Sequence, residues 1–398
     1  MEGAVERLAE LIVGVGANVQ AGQTVAVTAE LEAAPLVQAI AAAAYRRGAL
    51  FVDPFYVDAR VKRARLQLAD EETLSHVPRW YGARQIALGD DHAARITIVP
   101  TIPPGLLDDV DPARAGKDGL PAIKESFPII NARTTNWCVA PYPTPSWAAA
   151  AYPGVEPGAA LERLWHEVMH VCRLDEPDPI AAWKERFAAL AAVAARLTER
   201  RFDAIHFEGP GTDLTIGLFA SSRWEGGFAT TVDGVVHAAN IPSEEITSAP
   251  DPLRADGVVT ATKPLDIAGT VVRGLRVRFE GGRAVQIDAD ENVDMLRSRC
   301  ARDDEASRLG EIALVDGEGR IGPLGTSFCT TLLDENAASH LAFGNAYLSQ
   351  IEAPEDLARA NSSSIHLDFM IGSPEVDVTG VTREGERVPV LRGGAWQL

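Results

Sequence analysis

Basic residues are in short supply. Lys and Arg number 37 against 56 Asp and Glu, for a formal net charge of −19. Sequence-independent binding to nucleic acid or to an anionic membrane needs a basic surface, so both roles are excluded. Long apolar runs are missing too: none approaches the roughly 18 residues of a membrane span. The start, MEGAVERLAELIVG, has acids and no basic n-region, so it does not read as a secretory leader. The four cysteines, Cys138, Cys172, Cys300 and Cys329, lie far apart and form no C-x-x-C pair. That excludes a thiolate-built zinc site and fits reduced thiols in a cytoplasmic protein. Internal repeats and low-complexity tracts are absent.

What remains is ordinary globular composition, 46% hydrophobic and 23% charged. At 398 residues the chain is too long for one ordinary core, so two domains are expected. The abundant carboxylates supply what a hard or borderline cation site needs.

The first 70 residues alternate in type. GQTVAVTAE is a β-branched run, APLVQAIAAAAYRRGA a helix ending at Gly48, and ALFVDPFYVD a second strand. Strand, helix and strand with short links imply a parallel βαβ unit. ARITIVPTIPPG adds a strand that stops at a double proline. Helical patterns fill the following hundred residues, interrupted by the turn-rich APYPTPSW. A long Ala-rich helix runs from Ile180 to Arg201. Beyond it the texture becomes strand-rich, with FDAIHFEG, GTDLTIGLF and EIALVDG among Gly turns. The expectation is an α/β domain over 1–203 followed by a strand-rich α+β domain over 204–398.

Two motifs invite a functional reading. His166-Glu167-Val168-Met169-His170 matches H-E-x-x-H, which on a helix holds zinc with the Glu as general base. Its context is poor: Pro177 and Pro179 break the chain before a third ligand can share the helix, and Glu185 opens the next one. A surface helix is the expectation, and a single-zinc protease using His166, Glu167 and His170 the competing one. Gly317 to Gly322, GEGRIG, matches G-x-G-x-x-G, but Pro323 follows and no helix pattern points at a phosphate. It reads as a hairpin-like loop.

The chemistry is spread over the C-terminal half. As a strand, SSSIHLDFMIG puts His366, Asp368 and Met370 on one face and Ile365, Leu367, Phe369 and Ile371 on the other. LLDENAASHLAFGNAY gathers Asp334, Glu335, Asn336, His340 and Tyr347. NIPSEEITSAPD carries Glu244 and Glu245 in a Pro-bounded loop. LGEIALVD sets Glu311 among apolar neighbours, where burial is costly without a cation or partner. Together these offer a mixed nitrogen and oxygen set suited to zinc, cobalt or manganese.

These segments resemble the thermophilic aminopeptidase family of metallopeptidases. The likeness extends to GTDLTIGL, NVQAGQTVAV, GALFVDPFYVD and NWCVAPYPTPSWAAAAYPG, and so covers nearly the whole chain. It implies a site in the C-terminal domain with two divalent metal ions bridged by Glu311. His340, His366 and Asp368 match further ligands, and the last ligand is an acid of the SEE pair, with spacing favouring Glu245 over Glu244. Tyr347 matches a tyrosine at the site. The mechanism expected is removal of N-terminal residues from short peptides, with a free carboxylate, Glu244, as general base. The resemblance also implies a homodimer that encloses the site. Ser243 stands where the family has Thr, and Ile246-Thr247-Ser248 where it has Val-Phe-Thr. A non-catalytic relative that binds metal or peptide is the remaining alternative.

Overall fold

A computed structural model describes residues 3–118, 120 and 125–398. Strands β1 (Thr24–Glu30), β2 (Phe51–Val57), β3 (Ala94–Val99) and β4 (Trp137–Pro141) form one parallel sheet in the order β2-β1-β3-β4. Helix α1 (Ala34–Arg46) links β1 to β2, as the βαβ pattern requires. Its buried Leu36, Val37, Ile40, Ala43 and Ala44 have helical spacing and one apolar stripe. β3 ends before the Pro100 ring can break the ladder. β4 corrects the turn-rich reading of its region: only five residues long and ending in Pro141, it falls short of a strand signature.

The motif helix α2 (Pro157–Val171) and the long helix α3 (Pro179–Arg200) follow. Asp178 caps α3 by accepting from the Ala181 amide at 3.0 Å, and Pro179 sits in its first turn, where a missing N–H costs nothing. Trp183, Phe187, Leu190, Ala194 and Leu197 make its buried stripe. That stripe packs on two strands of an antiparallel sheet, β5 (Glu225–Gly226) and β6 (Glu245–Ser248).

This second sheet continues with β7 (Leu309–Val315), β8 (His340–Gly344) and β9 (His366–Met370), in the order β9-β8-β7-β6-β5. An eight-stranded antiparallel sheet drawn from residues 204–396 lies against it. The chain passes from one to the other at Ala249, between β6 and the strand Pro250–Thr260. The mixed architecture is the one expected: a parallel α/β sheet first, then strand-rich antiparallel sheets. A continuous buried cluster runs through all of them. No helix among the described residues is long and apolar enough to cross a membrane.

The contact that matters for the site joins the two sheet systems. Val139 of β4 accepts from the Ile241 amide at 3.0 Å and donates to the Ala239 carbonyl at 2.8 Å. The segment leading to Glu244 and Glu245 is thus zipped onto the edge of the parallel sheet.

Candidate metal centre

Pairing across the second sheet decides which side chains meet. Glu245 opposes Val315, Thr247 opposes Ala313, and Ala313 opposes His340. Glu311 opposes Ala342, and Ala342 opposes Asp368, while His366 opposes Gly344. Directly opposed residues share a face. Glu245, Glu311, His340, His366 and Asp368 therefore all project from one side. Between them stand Ala313, Ala342 and Gly344, which leave the centre of that face open. The opposite face is apolar: Ile246, Ile312, Leu314, Leu341, Phe343 and Phe369 are fully buried, with Phe343 and Phe369 stacked at 4.9 Å. The alternation expected for His366, Asp368 and Met370 against Leu367 and Phe369 is observed.

A bulge between Leu309 and Glu311 sets this register. Gly310 fills it, and a Cβ there would lie 2.0 Å from the Gly344 carbonyl. Only glycine permits that approach.

The ligand atoms fall into overlapping groups. Glu245, Glu311 and His340 form one, Glu311, His366 and Asp368 another, and Glu335, His340 and Asp368 a third, each within 4.8 Å. His340 Nε2 lies 3.2 Å from Glu245, and His366 Nε2 lies 3.1 Å from Glu311 and 3.3 Å from Asp368. Each imidazole turns its other nitrogen to a carbonyl: His340 Nδ1 to Ala338 at 3.2 Å, His366 Nδ1 to Asn345 at 2.8 Å. A carbonyl only accepts, so Nδ1 carries a hydrogen and Nε2 is the nitrogen turned to the carboxylates. That is the orientation a metal-binding histidine needs.

The electrostatics point the same way. Four carboxylates share a buried space with two imidazoles. Burial raises the Glu311 carboxyl, partly countered by His366, and burial with Glu245 and Asp368 raises Glu335 well above its ordinary value. Burial alone would discharge His340, but Glu245, Asp368 and Glu335 outweigh it and lift it to about 10. His366 is likewise raised against burial by Tyr347, Asp368 and Glu311. Acids so concentrated demand positive charge, and the nitrogen and oxygen donors suit zinc, cobalt or manganese.

Glu244 is not at this centre. Its side chain is fully buried on the other side of the turn, where Arg173 reaches one oxygen at 3.1 Å and Arg186 the other. Arg186 also holds Asp316 at 3.0 Å. A carboxylate committed to two guanidiniums cannot serve as a free base, so that expectation is corrected. Glu335 has the access that Glu244 lacks. It lies on the wall of a cavity of about 490 Å³ that also includes Tyr347 and the five candidate ligands Glu245, Glu311, His340, His366 and Asp368. One Glu335 oxygen receives amide hydrogens from Asn240 at 3.3 Å and Asn336 at 3.4 Å. The sequence marked Glu335 only as one acid in a crowded segment. It sits at the end of a five-residue helix, α4 (Thr331–Glu335), too short for periodicity to assign it a face. Tyr347 packs its ring 5.2 Å from His366, and burial keeps its phenol protonated.

The H-E-x-x-H helix stands apart. His166 is exposed, Glu167 accepts from Tyr152 at 2.7 Å and Arg163 at 2.8 Å, and His170 pairs with Asp175 at 2.9 Å. None joins a ligand group among the described residues. GEGRIG opens the long connection from β7 to β8 as a turn running into a single 3-10 turn. His237 borders the cavity, but burial holds it neutral, down to about 4, and its Nδ1 faces the Trp137 carbonyl at 2.9 Å.

The family described as thermophilic metalloprotease (M29) matches residues 1–396. The chain belongs to the thermophilic metalloprotease family. Aminopeptidase T of Thermus thermophilus is 41% identical over 398 residues, covering 98% of each chain. Aminopeptidase 2 of Geobacillus stearothermophilus is 38% identical over 402 residues, covering 98% of this chain and 97% of its own. The solved structure of wild-type AmpT from Thermus thermophilus superposes with a TM-score of 0.88 at 39% identity, over 100% of both chains. Membership of a thermophilic metalloprotease family brings dependence on a divalent metal, which the gathered ligands suit.

Proposed function

We propose that this chain is a metallo-aminopeptidase that binds two divalent ions and releases N-terminal residues from short peptides. The observation that carries the reading is the shared carboxylate: Glu311 belongs to two ligand groups, one completed by Glu245 and His340 and the other by His366 and Asp368. A divalent pair held by these five residues would supply Lewis-acid polarisation of the scissile carbonyl and a lowered pKa for water. The protein's own groups do the rest. Glu335, with one oxygen clamped by two amides, uses the other to take the proton of the attacking water and hand it to the leaving amine. Tyr347, a phenol beside His366, donates to the developing oxyanion. The acids of the centre receive the α-ammonium, and the cavity volume accommodates a short peptide. A homodimer belongs to the same reading, supported by exposed apolar residues of the N-terminal half such as Leu50, Phe51, Leu68 and Trp80.

The test is metal content per chain beside peptide hydrolysis. Two ions in the wild type, depleted by His366→Ala and untouched by His170→Ala, are expected. One ion, lost with His170→Ala instead, would sink this reading and revive the single-zinc alternative. Glu335→Gln should retain the metal and lose roughly 10²-fold to 10⁴-fold in kcat.

A further inference from the structure

We propose that Arg133 receives the free C-terminal carboxylate of the substrate, so that short peptides with an uncapped C-terminus are the preferred class. The inference rests on the peptidase reading above.

Two arginines line the cavity, Arg133 and Arg223. Arg223 is committed: it holds one oxygen of Glu225 at 2.5 Å, while Ser349 Oγ donates to the other at 2.8 Å. Arg133 makes no ion pair and no side-chain hydrogen bond among the described residues, in a chain where acids outnumber bases. Its backbone is nonetheless fixed. Its amide donates to the Ile130 carbonyl at 3.0 Å, and its carbonyl accepts from Val232 at 2.9 Å. Its φ of 53° is left-handed, a conformation that favours glycine or asparagine. The C-terminal end of the helix Ser126–Ala132 welcomes a cation. Arg133 is exposed where it lines the cavity, so its guanidinium is free to meet a ligand there.

The position is tied to the centre by contacts. Asn131 accepts from the Leu348 amide at 3.1 Å. Leu348 follows Tyr347, and the next residue, Ser349, reaches Glu225. Glu225 opposes Thr247, which opposes Ala313 on the strand of Glu311. Glu225 is therefore two strand spacings from the ligand strand, about 10 Å. An extended peptide spans that in about three residues. Apart from the Arg223–Glu225 pair, the cavity thus carries the acids of the centre and one cation, Arg133, on its wall, charges that suit a zwitterionic peptide lying with its amine at the centre.

The experiment compares Leu-Gly-Gly with its C-terminal amide on the metal-loaded enzyme. The wild type is expected to favour the free acid by about tenfold or more in kcat/KM, the size of one charge-assisted contact. Arg133→Gln should erase the preference by raising KM for the acid alone, with kcat and the amide unchanged, and Arg133→Lys should restore part of it. Equal use of both peptides by the wild type would overturn the proposal while leaving the peptidase reading standing. An equal loss on both peptides in Arg133→Gln would also overturn it, by showing a structural role. Release from neither peptide by the wild type would remove the peptidase reading and this inference with it.

Discussion

The backbone amide of Glu244 donates to Asn336 Oδ1 at 2.6 Å, and so ties the turn that presents Glu245 to the helix end that presents Glu335. Asn336 also donates to the Leu332 carbonyl at 2.9 Å, which fixes its own orientation. On the proposed reading, removing this amide loosens a metal ligand and the base together. Asn336→Ala is expected to weaken metal affinity by roughly 10-fold to 100-fold, the usual cost of losing a group that orients ligands. Competition with a chelating dye would measure it, and unchanged affinity would refute the coupling.

Behind that turn, Glu244 is a structural anchor. Glu244→Ala would leave Arg173 and Arg186 buried with a charge missing between them, and should cost about 3–5 kcal/mol of stability. Urea unfolding of the metal-loaded protein would show it as a lower midpoint. A variant that unfolds like the wild type yet has lost all turnover would return Glu244 to a catalytic role.

Stripping the metal should lower thermal stability, because it leaves four carboxylates facing two imidazoles in a buried space. A drop in melting temperature with chelator, reversed by zinc, cobalt or manganese, is expected for the wild type. In Glu311→Gln, the drop should be much smaller. If chelator shifts both proteins equally, the stabilising ion sits elsewhere.

Asp266 gives a pH signature away from the centre. Burial raises its carboxyl to about 8, and one oxygen has no hydrogen-bond partner. In the unfolded chain the group ionises near 3.9. The folded state therefore binds the extra proton between those values, and stability falls as pH rises from about 4 through about 8, by up to about 1.4 kcal/mol per pH unit. Asp266→Asn removes that dependence and should raise the melting temperature most at pH 8–9. Parallel pH profiles for the two proteins would contradict it.

Much of the centre is legible in the sequence because strand geometry is local. His366 and Asp368 are two residues apart, and any strand puts them on one face. Glu311 stands out as an acid in an apolar run. The choice between Glu244 and Glu245 is harder, since adjacent residues alternate faces and only the pairing with Val315 says which one faces the cavity. The role of Glu335 depends on the end of a one-turn helix held by Asn240 and Asn336, contacts that no period encodes. β4 is hidden by Pro141 and the turn-rich stretch after it, although it is the strand against which the Asn240 segment is held at the site. The H-E-x-x-H helix shows the converse: a local pattern whose Glu167 is taken up by Arg163 and Tyr152 and whose His170 is taken up by Asp175.

The bulge at Gly310 acts as a parity switch. Leu309 opposes Phe343 and faces the core, while Glu311, two residues on, opposes Ala342 and faces the cavity. In an unbroken ladder, residues two apart would look the same way. Were Gly310 to take a place in the ladder instead of bulging out of it, β7 would turn over like a page: Glu311, Ala313 and Val315 toward the oil of the interior, Ile312 and Leu314 toward the water. The chemistry of the centre hangs on one residue that the ladder does not count.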